Sequence, residues 1–309
     1  KWIMRKKLIK IGTRNSDLAL WQAKRVQKGL QKQGIESELV FIQSVGDQNK
    51  KAPLHELGEM GAFTKALDKA LQQGIIDLAV HSMKDAATRF VEDVVPLAVL
   101  ERESASDVFI PGPGTRNLEV EAVVATGSLR RRAQWLRRYP DDKIVNLRGN
   151  MGHRLEKLRS STWKGAIFAK AALVRLNKLP FEAMTLDWML PAPAQGAILV
   201  VGSEARKDIF AQVRSLNDPI TELCTGIERE FLQTLEGGCS APIGAYAFAV
   251  AEKIHFIGGL FSLEGEQAVV QKEQVLITEH QGLGRKMAEQ VLSLGGEAII
   301  ATIRKAFNR

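Results

Sequence analysis

Leu8-Ile9-Lys10-Ile11-Gly12 runs into Thr13-Arg14-Asn15-Ser16, and then into Asp17-Leu18-Ala19-Leu20-Trp21-Gln22-Ala23. The first five residues read as a short buried strand. Apolar residues at helical spacing predict an amphipathic helix over Leu18–Gln33, started by Ser16 or Asp17. A strand, a polar turn carrying an arginine and a capped helix make up the repeating unit of an α/β fold. In open sheets of that kind ligands bind beyond the carboxyl ends of the strands, where the turn lies.

The same alternation continues along the chain. Strands are expected at Glu38–Gln43, Ile76–Val80, Ala122–Ala125, Ile144–Leu147 and Ala166–Ala169. Helices are expected at Thr64–Gln73, Leu129–Arg138, Met151–Leu158 and Ala171–Leu176. This pattern predicts α/β architecture with largely parallel sheets. The last ninety or so residues differ. Gly244–Val250, Lys253–Gly259 and Ala268–Leu276 read as consecutive strands, with helices near Gly284–Leu294 and Gly296–Phe307, which suggests a small α+β domain. Composition breaks at 111–114, 191–193 and 217–219, and no repeat of solenoid spacing is evident.

Composition narrows the classes. A chain of 309 residues is long enough for two or three domains. No apolar run approaches the roughly 18 residues that a membrane span needs. The basic start, Lys1-Trp2-Ile3-Met4-Arg5-Lys6-Lys7, lacks the apolar core of a secretory signal. Cysteine occurs only at Cys224 and Cys239, too few for a disulfide framework, so a reducing, cytoplasmic setting is expected. The net charge of +8 fits either nucleic acid or a polyanionic small molecule. Aromatic residues do not alternate with the basic clusters, which argues against a single-strand binder. The sequence holds no GxxxxGK[ST], strand-coupled GxGxxG, HExxH or GxSxG. Its five histidines show no metal-ligand spacing, so no metal is expected.

Basic residues recur where strands give way to helices. Arg14 and Ser16 follow the first strand. Thr126-Gly127-Ser128-Leu129-Arg130-Arg131 follows another, and Leu147-Arg148-Gly149-Asn150 a third, with Arg154 one turn into the next helix. Helix N-termini there present free N–H groups and a positive dipole end. Arginine adds planar, bidentate recognition of carboxylate or phosphate. Together these turns predict a cradle for a polyanion. His81-Ser82-Met83-Lys84-Asp85 ends a buried strand and carries Lys84 and Asp85 to the same rim. Asp85 can stabilise a cationic intermediate and handle its proton. In Leu235-Glu236-Gly237-Gly238-Cys239-Ser240-Ala241-Pro242, the thiol stands between a glycine pair and a proline, so a large group can approach the sulfur closely. Cys224, in an expected helix, and Trp21 read as packing.

Taken in order, the motifs Thr13–Ala23, His81–Asp85, Ser128–Arg131, Leu147–Asn150, Pro193-Ala194-Gln195-Gly196-Ala197 and Glu236–Cys239 resemble those of the porphobilinogen deaminase (hydroxymethylbilane synthase) family from about Leu8 to the C-terminus. The resemblance implies two α/β domains like type II periplasmic binding proteins and a small α+β C-terminal domain. Its boundaries would be 1–99 with 196–217, then 100–195, then 218–309. It implies a transferase that holds a dipyrromethane cofactor on Cys239 through a thioether. Four porphobilinogens are condensed onto this primer with loss of ammonia, and linear hydroxymethylbilane is released by hydrolysis. Asp85 matches the family's catalytic aspartate. Arg14, Arg130, Arg131, Arg148, Arg154 and Arg175 would bind cofactor or substrate carboxylates, assisted by Ser16, Lys84, Thr126 and Ser128. Gln195 and Gly196 would shape the return between the large domains. Asp47, Met60 and Phe63 would belong to a lid. A monomer acting on a small molecule, without nucleic acid or membrane, is implied.

The chain departs from the family pattern in places. Gly127 replaces a serine, Met60 a basic residue, Ala86-Ala87 valine-proline, and Pro193-Ala194 stands where a glycine is frequent. Two other classes are a non-catalytic anion sensor, which needs neither Asp85 nor Cys239, and a nucleic-acid binder recruited by charge.

Overall fold

The computed structural model describes residues 8–43, 64–116, 122–236 and 241–307. In chain order the strands are β1 (Ile9–Thr13), β2 (Ser37–Phe41), β3 (Leu78–Ser82), β4 (Val94–Leu100), β5 (Asp107–Pro111), β6 (Val123–Ala125) and β7 (Lys143–Val145). They continue as β8 (Gly165–Ala169), β9 (Met184–Thr185), β10 (Ile198–Ser203), β11 (Ile243–Val250), β12 (Lys253–Phe261) and β13 (Ala268–Leu276). The helices used below are α1 (Asp17–Gln31), α2 (Lys65–Gln72), α3 (Leu129–Arg138), α4 (Met151–Arg159), α5 (Lys170–Arg175), α6 (Phe210–Arg214), α7 (Pro219–Glu236), α8 (Leu283–Val291) and α9 (Glu297–Phe307). Among the described residues, no helix is long and apolar enough to cross a membrane.

The chain divides into two compact units, the first of which takes residues up to 102, apart from 53–56, together with 197–222. Its sheet has the order β2-β1-β3-β10-β4. β1 pairs in parallel with β2 and β3, whereas β10 runs antiparallel to both β3 and β4. Ser16 caps α1 by accepting a hydrogen bond from the Ala19 N–H at 3.3 Å. The helix buries Gln22, Ala23, Val26 and Leu30 at helical spacing, and the apolar members of that stripe pack on Ile9, Ile11, Leu78 and Val80. Gln22 is buried because its amide donates to Ser82 Oγ at 2.8 Å, tying α1 to the end of β3.

The second unit includes residues 103–196 and 223–309. Its first sheet has the order β7-β6-β8-β5-β9. β6 is parallel to β7 and β8, and β5 runs antiparallel to β8 and β9. The two five-stranded sheets therefore share one order, three parallel strands followed by an inserted antiparallel one. Four strands of each sheet run the same way, in line with the expectation of largely parallel sheets, and the one reversed strand in each is what that expectation lacked. β5 and β10 are near-continuous apolar runs, buried on both faces, and give no alternation to read. Along β5 and β8 neighbouring residues serve opposite layers. Val108, Ile110, Ala166 and Phe168 join one cluster, Phe109 and Ile167 the other.

The last sheet, β11-β12-β13, is an antiparallel meander. One face buries Phe231 and Leu235 of α7, Met287 and Val291 of α8, and Ile299 and Ile303 of α9. The turn between β12 and β13 docks on α3. Arg132 makes a forked pair with Glu264 at 2.6 and 2.8 Å, and Arg137 Nη1 donates to the carbonyl of Gly265 at 3.2 Å. Gly265 has φ +77 and lies so close to the Ala133 carbonyl that a side chain would collide with it.

Ala194 marks a strained turn. Its φ is +60, the left-handed region, and it is fully buried. Its N–H donates to Glu228 Oε2 at 2.6 Å, while Glu228 Oε1 accepts from the Ala247 N–H at 2.8 Å. This buried carboxylate of α7 thus holds the turn and β11 together. A left-handed alanine costs about 1 kcal/mol relative to glycine. Ala194→Gly should therefore raise the melting temperature by a few degrees. A melt unchanged or lowered, read by calorimetry, would show that the turn is relaxed with alanine.

Candidate active site

In the first unit the site residues gather at one end of the sheet. β1 and β3 are parallel neighbours, with Gly12 opposite Ala79, so the turns that leave the two strands emerge at the same edge. Arg14 follows β1 directly and is half-buried. A short 3-10 turn, Met83–Asp85, follows β3. Within it Met83 is buried, Lys84 is half-buried, and Asp85 is exposed. The Asp85 carboxylate makes no hydrogen bond or ion pair with the described residues. His81, buried on β3, has its pKa lowered to about 4, first by burial and then by the charge of Arg14. It is a neutral imidazole at neutral pH, so Arg14 and Lys84 carry the positive charge of this edge. Ser16, foreseen as a ligand donor, is also the cap of α1, and its hydroxyl hydrogen is not used by that bond.

In the second unit two strand-to-helix turns come together in the same way. β6 and β7 are parallel, with Ala125 opposite Val145, which sets the Thr126–Ser128 turn beside Leu147–Asn150. Thr126 Oγ1 accepts from the Ser128 N–H at 3.2 Å, and Ser128 Oγ accepts from the Arg131 N–H at 3.4 Å, capping α3. A side chain on Gly127 would begin 2.7 Å from the Leu147 carbonyl, so the close approach of the two turns suits the glycine that departs from the family pattern. Asn150 caps α4 through the His153 N–H at 2.9 Å, and Gly149 takes φ +115 to make the turn. Arg154 Nε donates to the Gly149 carbonyl at 2.7 Å. Arg148 Nη1 is buried and has no hydrogen-bond partner among the described residues, and burial lowers its pKa.

Arg130 and Arg131, on the first turn of α3, are buried around a carboxylate that the motifs did not single out. Asp107, fully buried at the start of β5, accepts from Arg130 Nη1 at 2.7 Å and from Arg131 Nε at 3.0 Å. Gln195 Nε2 donates to the same carboxylate at 2.9 Å and to the Ala105 carbonyl at 2.6 Å. Burial alone would raise the Asp107 pKa. The charges of Arg130 and Arg131, with hydrogen bonds from Arg130 and Gln195, outweigh it and hold the group well below the usual carboxylate range. Arg175, at the end of α5, donates through Nη2 to the Gly196 carbonyl at 2.6 Å. Gly196 has φ +89 and packs against the Glu103 and Ser104 backbone, where a side chain would not fit.

The structure therefore brings Arg14, Ser16, Lys84 and Asp85 to one sheet end in the first unit. In the second it brings Thr126, Ser128, Arg130, Arg131, Arg148 and Arg154 to another, with Gln195 on the Asp107 carboxylate and Arg175 on Gly196. Cys239 and the expected lid residues Asp47, Met60 and Phe63 lie outside the described residues. Sequence reasoning missed Asp107 and Glu228. An acid opening an apolar run such as Asp107-Val108-Phe109-Ile110 is the only local signal for the first. Cys224 is buried in α7, and Trp21 packs at the edge of the first unit's core, as expected.

These features define an α/β protein with two five-stranded α/β sheets of like strand order and a small C-terminal α+β part, equipped with arginine-bearing strand ends that suit a polyanionic ligand. Residues 9–211 match the model for "Porphobilinogen deaminase, dipyromethane cofactor binding domain", and residues 222–293 match the model for the porphobilinogen deaminase C-terminal domain. The chain belongs to the porphobilinogen deaminase family. The porphobilinogen deaminase of Chlorobium phaeobacteroides is 39% identical, over 98% of this chain and 99% of that protein. The probable porphobilinogen deaminase of Methanocella arvoryzae is 37% identical over 97% and 100%, and the enzyme of Rubrobacter xylanophilus 38% over 95% and 97%. Among solved structures, the methionine binding protein MetQ overlaps with a TM-score of 0.42 and 14% identity, over 67% of this chain and 89% of that one.

His81 gives a test of the first unit's charge arrangement. The unfolded chain takes up a proton as pH falls through 6.5, the folded chain only near 4. Stability from the neutral imidazole is thus present above 6.5 and lost as pH falls towards 4, by up to about 3 kcal/mol. Between pH 7.5 and 4.5 the protein should lose more unfolding free energy than His81→Gln does. Equal losses in denaturant titrations would place His81 in water.

Proposed function

We infer that this chain condenses four porphobilinogens onto a dipyrromethane primer held as a thioether on Cys239, releases ammonia at each step, and frees linear hydroxymethylbilane by hydrolysis. Full-length kinship with the porphobilinogen deaminases carries the inference. The arginine geometry supports it. Every pyrrole unit bears an acetate and a propionate, so the growing chain accumulates carboxylates. Arg148 Nη1 and Arg130 Nε are buried donors without a partner among the described residues, which is the condition that a ligand carboxylate relieves.

When bound, the dipyrromethane supplies the terminal pyrrole whose α-carbon is the nucleophile. The protein's own groups do the rest. Arg130, Arg131, Arg148, Arg154 and Arg175, with Thr126 and Ser128, hold cofactor or substrate carboxylates and fix their orientation. Arg14, Ser16 and Lys84 do the same around the incoming porphobilinogen. Loss of the aminomethyl nitrogen leaves that substrate electron-deficient and cationic. The exposed carboxylate of Asp85 stabilises the positive charge, accepts pyrrole N–H hydrogen bonds and takes the proton that carbon–carbon bond formation releases. Gln195 and Gly196 shape the domain crossing. The protein acts in the cytoplasm, for which the scarcity of cysteine is the compositional support, and the family resemblance implies a monomer.

Intact-mass measurement tests this directly. The purified protein should exceed its polypeptide mass by one dipyrromethane, and porphobilinogen should add further units stepwise. Cys239→Ser should abolish the increment, and an increment that persists would move the attachment elsewhere. Asp85→Ala should keep the fold and the attached cofactor while slowing turnover about a hundredfold or more. Unchanged turnover would take Asp85 out of the mechanism.

A further inference from the structure

Two guanidiniums buried side by side repel one another, and each lowers the other's affinity for its proton or for a common space unless a counter-charge intervenes. Arg130 and Arg131 are adjacent in sequence, both are about nine-tenths buried or more, and the first turn of α3 fixes their backbones. Asp107 lies between them with no exposed surface. Its Oδ2 takes Arg130 Nη1 at 2.7 Å, and its Oδ1 takes Arg131 Nε at 3.0 Å and Nη2 at 2.8 Å. Further hydrogen bonds fix the outer edges of the fork. Arg130 Nη1 also donates to the Leu190 carbonyl at 2.6 Å, and Arg131 Nη1 to the Ile167 carbonyl at 3.2 Å. Gln134 brackets Leu190 from the same helix, donating to its carbonyl at 3.0 Å and accepting from its N–H at 2.8 Å.

The charge count is incomplete in one direction. Two guanidiniums meet one carboxylate, and no other carboxylate among the described residues is paired with either. One positive charge is left over, and the buried Nε of Arg130 has no acceptor among the described residues. We propose that Asp107 is the positioning residue of this cradle: it holds Arg130 and Arg131 in a rigid fork and sets the fork's net charge at one, so that the pair receives a single ligand carboxylate. This rests on the assignment of Arg130 and Arg131 as ligand-carboxylate residues. Asp107 itself touches no substrate. It acts through the arginines, and Gln195 orients it by the hydrogen bond to Oδ1. Preorganisation is the physical gain, because neither long side chain has to be ordered when the ligand arrives.

The test is cofactor assembly by apoprotein made in cells that lack porphobilinogen, followed by intact mass as a function of porphobilinogen concentration. Asp107→Asn keeps the shape of the side chain and removes its charge. It should raise the half-saturating concentration at least about tenfold while the maximal assembly rate per folded molecule changes little. A role confined to stability would instead lower the amount of folded protein and leave half-saturation where it was, and that result would overturn the proposal. Should Asp107→Asn fail to fold, Gln195→Met decides. It keeps every charge and most of the volume, and should raise half-saturation about threefold. An unchanged value there would equally overturn the proposal. Wild-type apoprotein that gains no mass at all would remove the functional assignment itself, a result distinct from normal wild-type assembly with unaffected variants.

Discussion

A buried carboxylate facing two buried guanidiniums is the constraint on which the second unit's arginine cluster depends. Asp107 is fully buried, and burial alone would favour its neutral form. The adjacent charges of Arg130 and Arg131 reverse that preference. None of the three could be buried alone without a cost of several kcal/mol. Their cluster also decides geometry elsewhere. Gln195 reaches Asp107 from the 194–196 turn, and Glu228 of α7 holds that turn in place. The arginine fork and α7 are thus joined through one short turn, Gln195 bonded to Asp107 and the neighbouring Ala194 to Glu228.

The duplicated strand order explains why arginine-bearing turns arise in both units. In each sheet the parallel strands deliver their loops to one edge, and each loop opens a helix whose first N–H groups need partners. Ser16, Ser128 and Asn150 satisfy part of that need as caps. Arginines in the same turns add charge and reach. The sites are thus a by-product of how a strand becomes a helix, refined by the choice of residues in three or four positions. The inserted antiparallel strands, β5 and β10, contribute something different, since β5 brings a carboxylate underneath the arginines.

The chemistry is divided along similar lines. In the proposed reaction arginines bind what does not change, the carboxylates on every pyrrole. Asp85, on the first unit's sheet edge, is exposed and makes no ion pair with the described residues, as a group that must meet a cation and a proton should be. His81, on the strand that leads to it, is kept neutral by burial and by Arg14, which leaves the edge with its lysine and arginine charge.

Much of this was legible in the residues. Helical spacing located α3 and alternation located β13 to the residue, and the ordered motifs named the arginines, Asp85 and the family, because those signals are local and their spacing is fixed by 3.6- and 2-residue periods. The inserted strands β5 and β10 were not legible, since a strand buried on both faces shows no alternation. Neither were Asp107 and Glu228, whose partners stand 23 and 88 residues away in one case and 19 and 34 in the other. Sequence alone determined which residue types stand at the strand ends and hence what ligand chemistry they suit. Tertiary structure alone decided which charges share a buried space, because only packing brings distant side chains out of water and makes one carboxylate answer for two arginines.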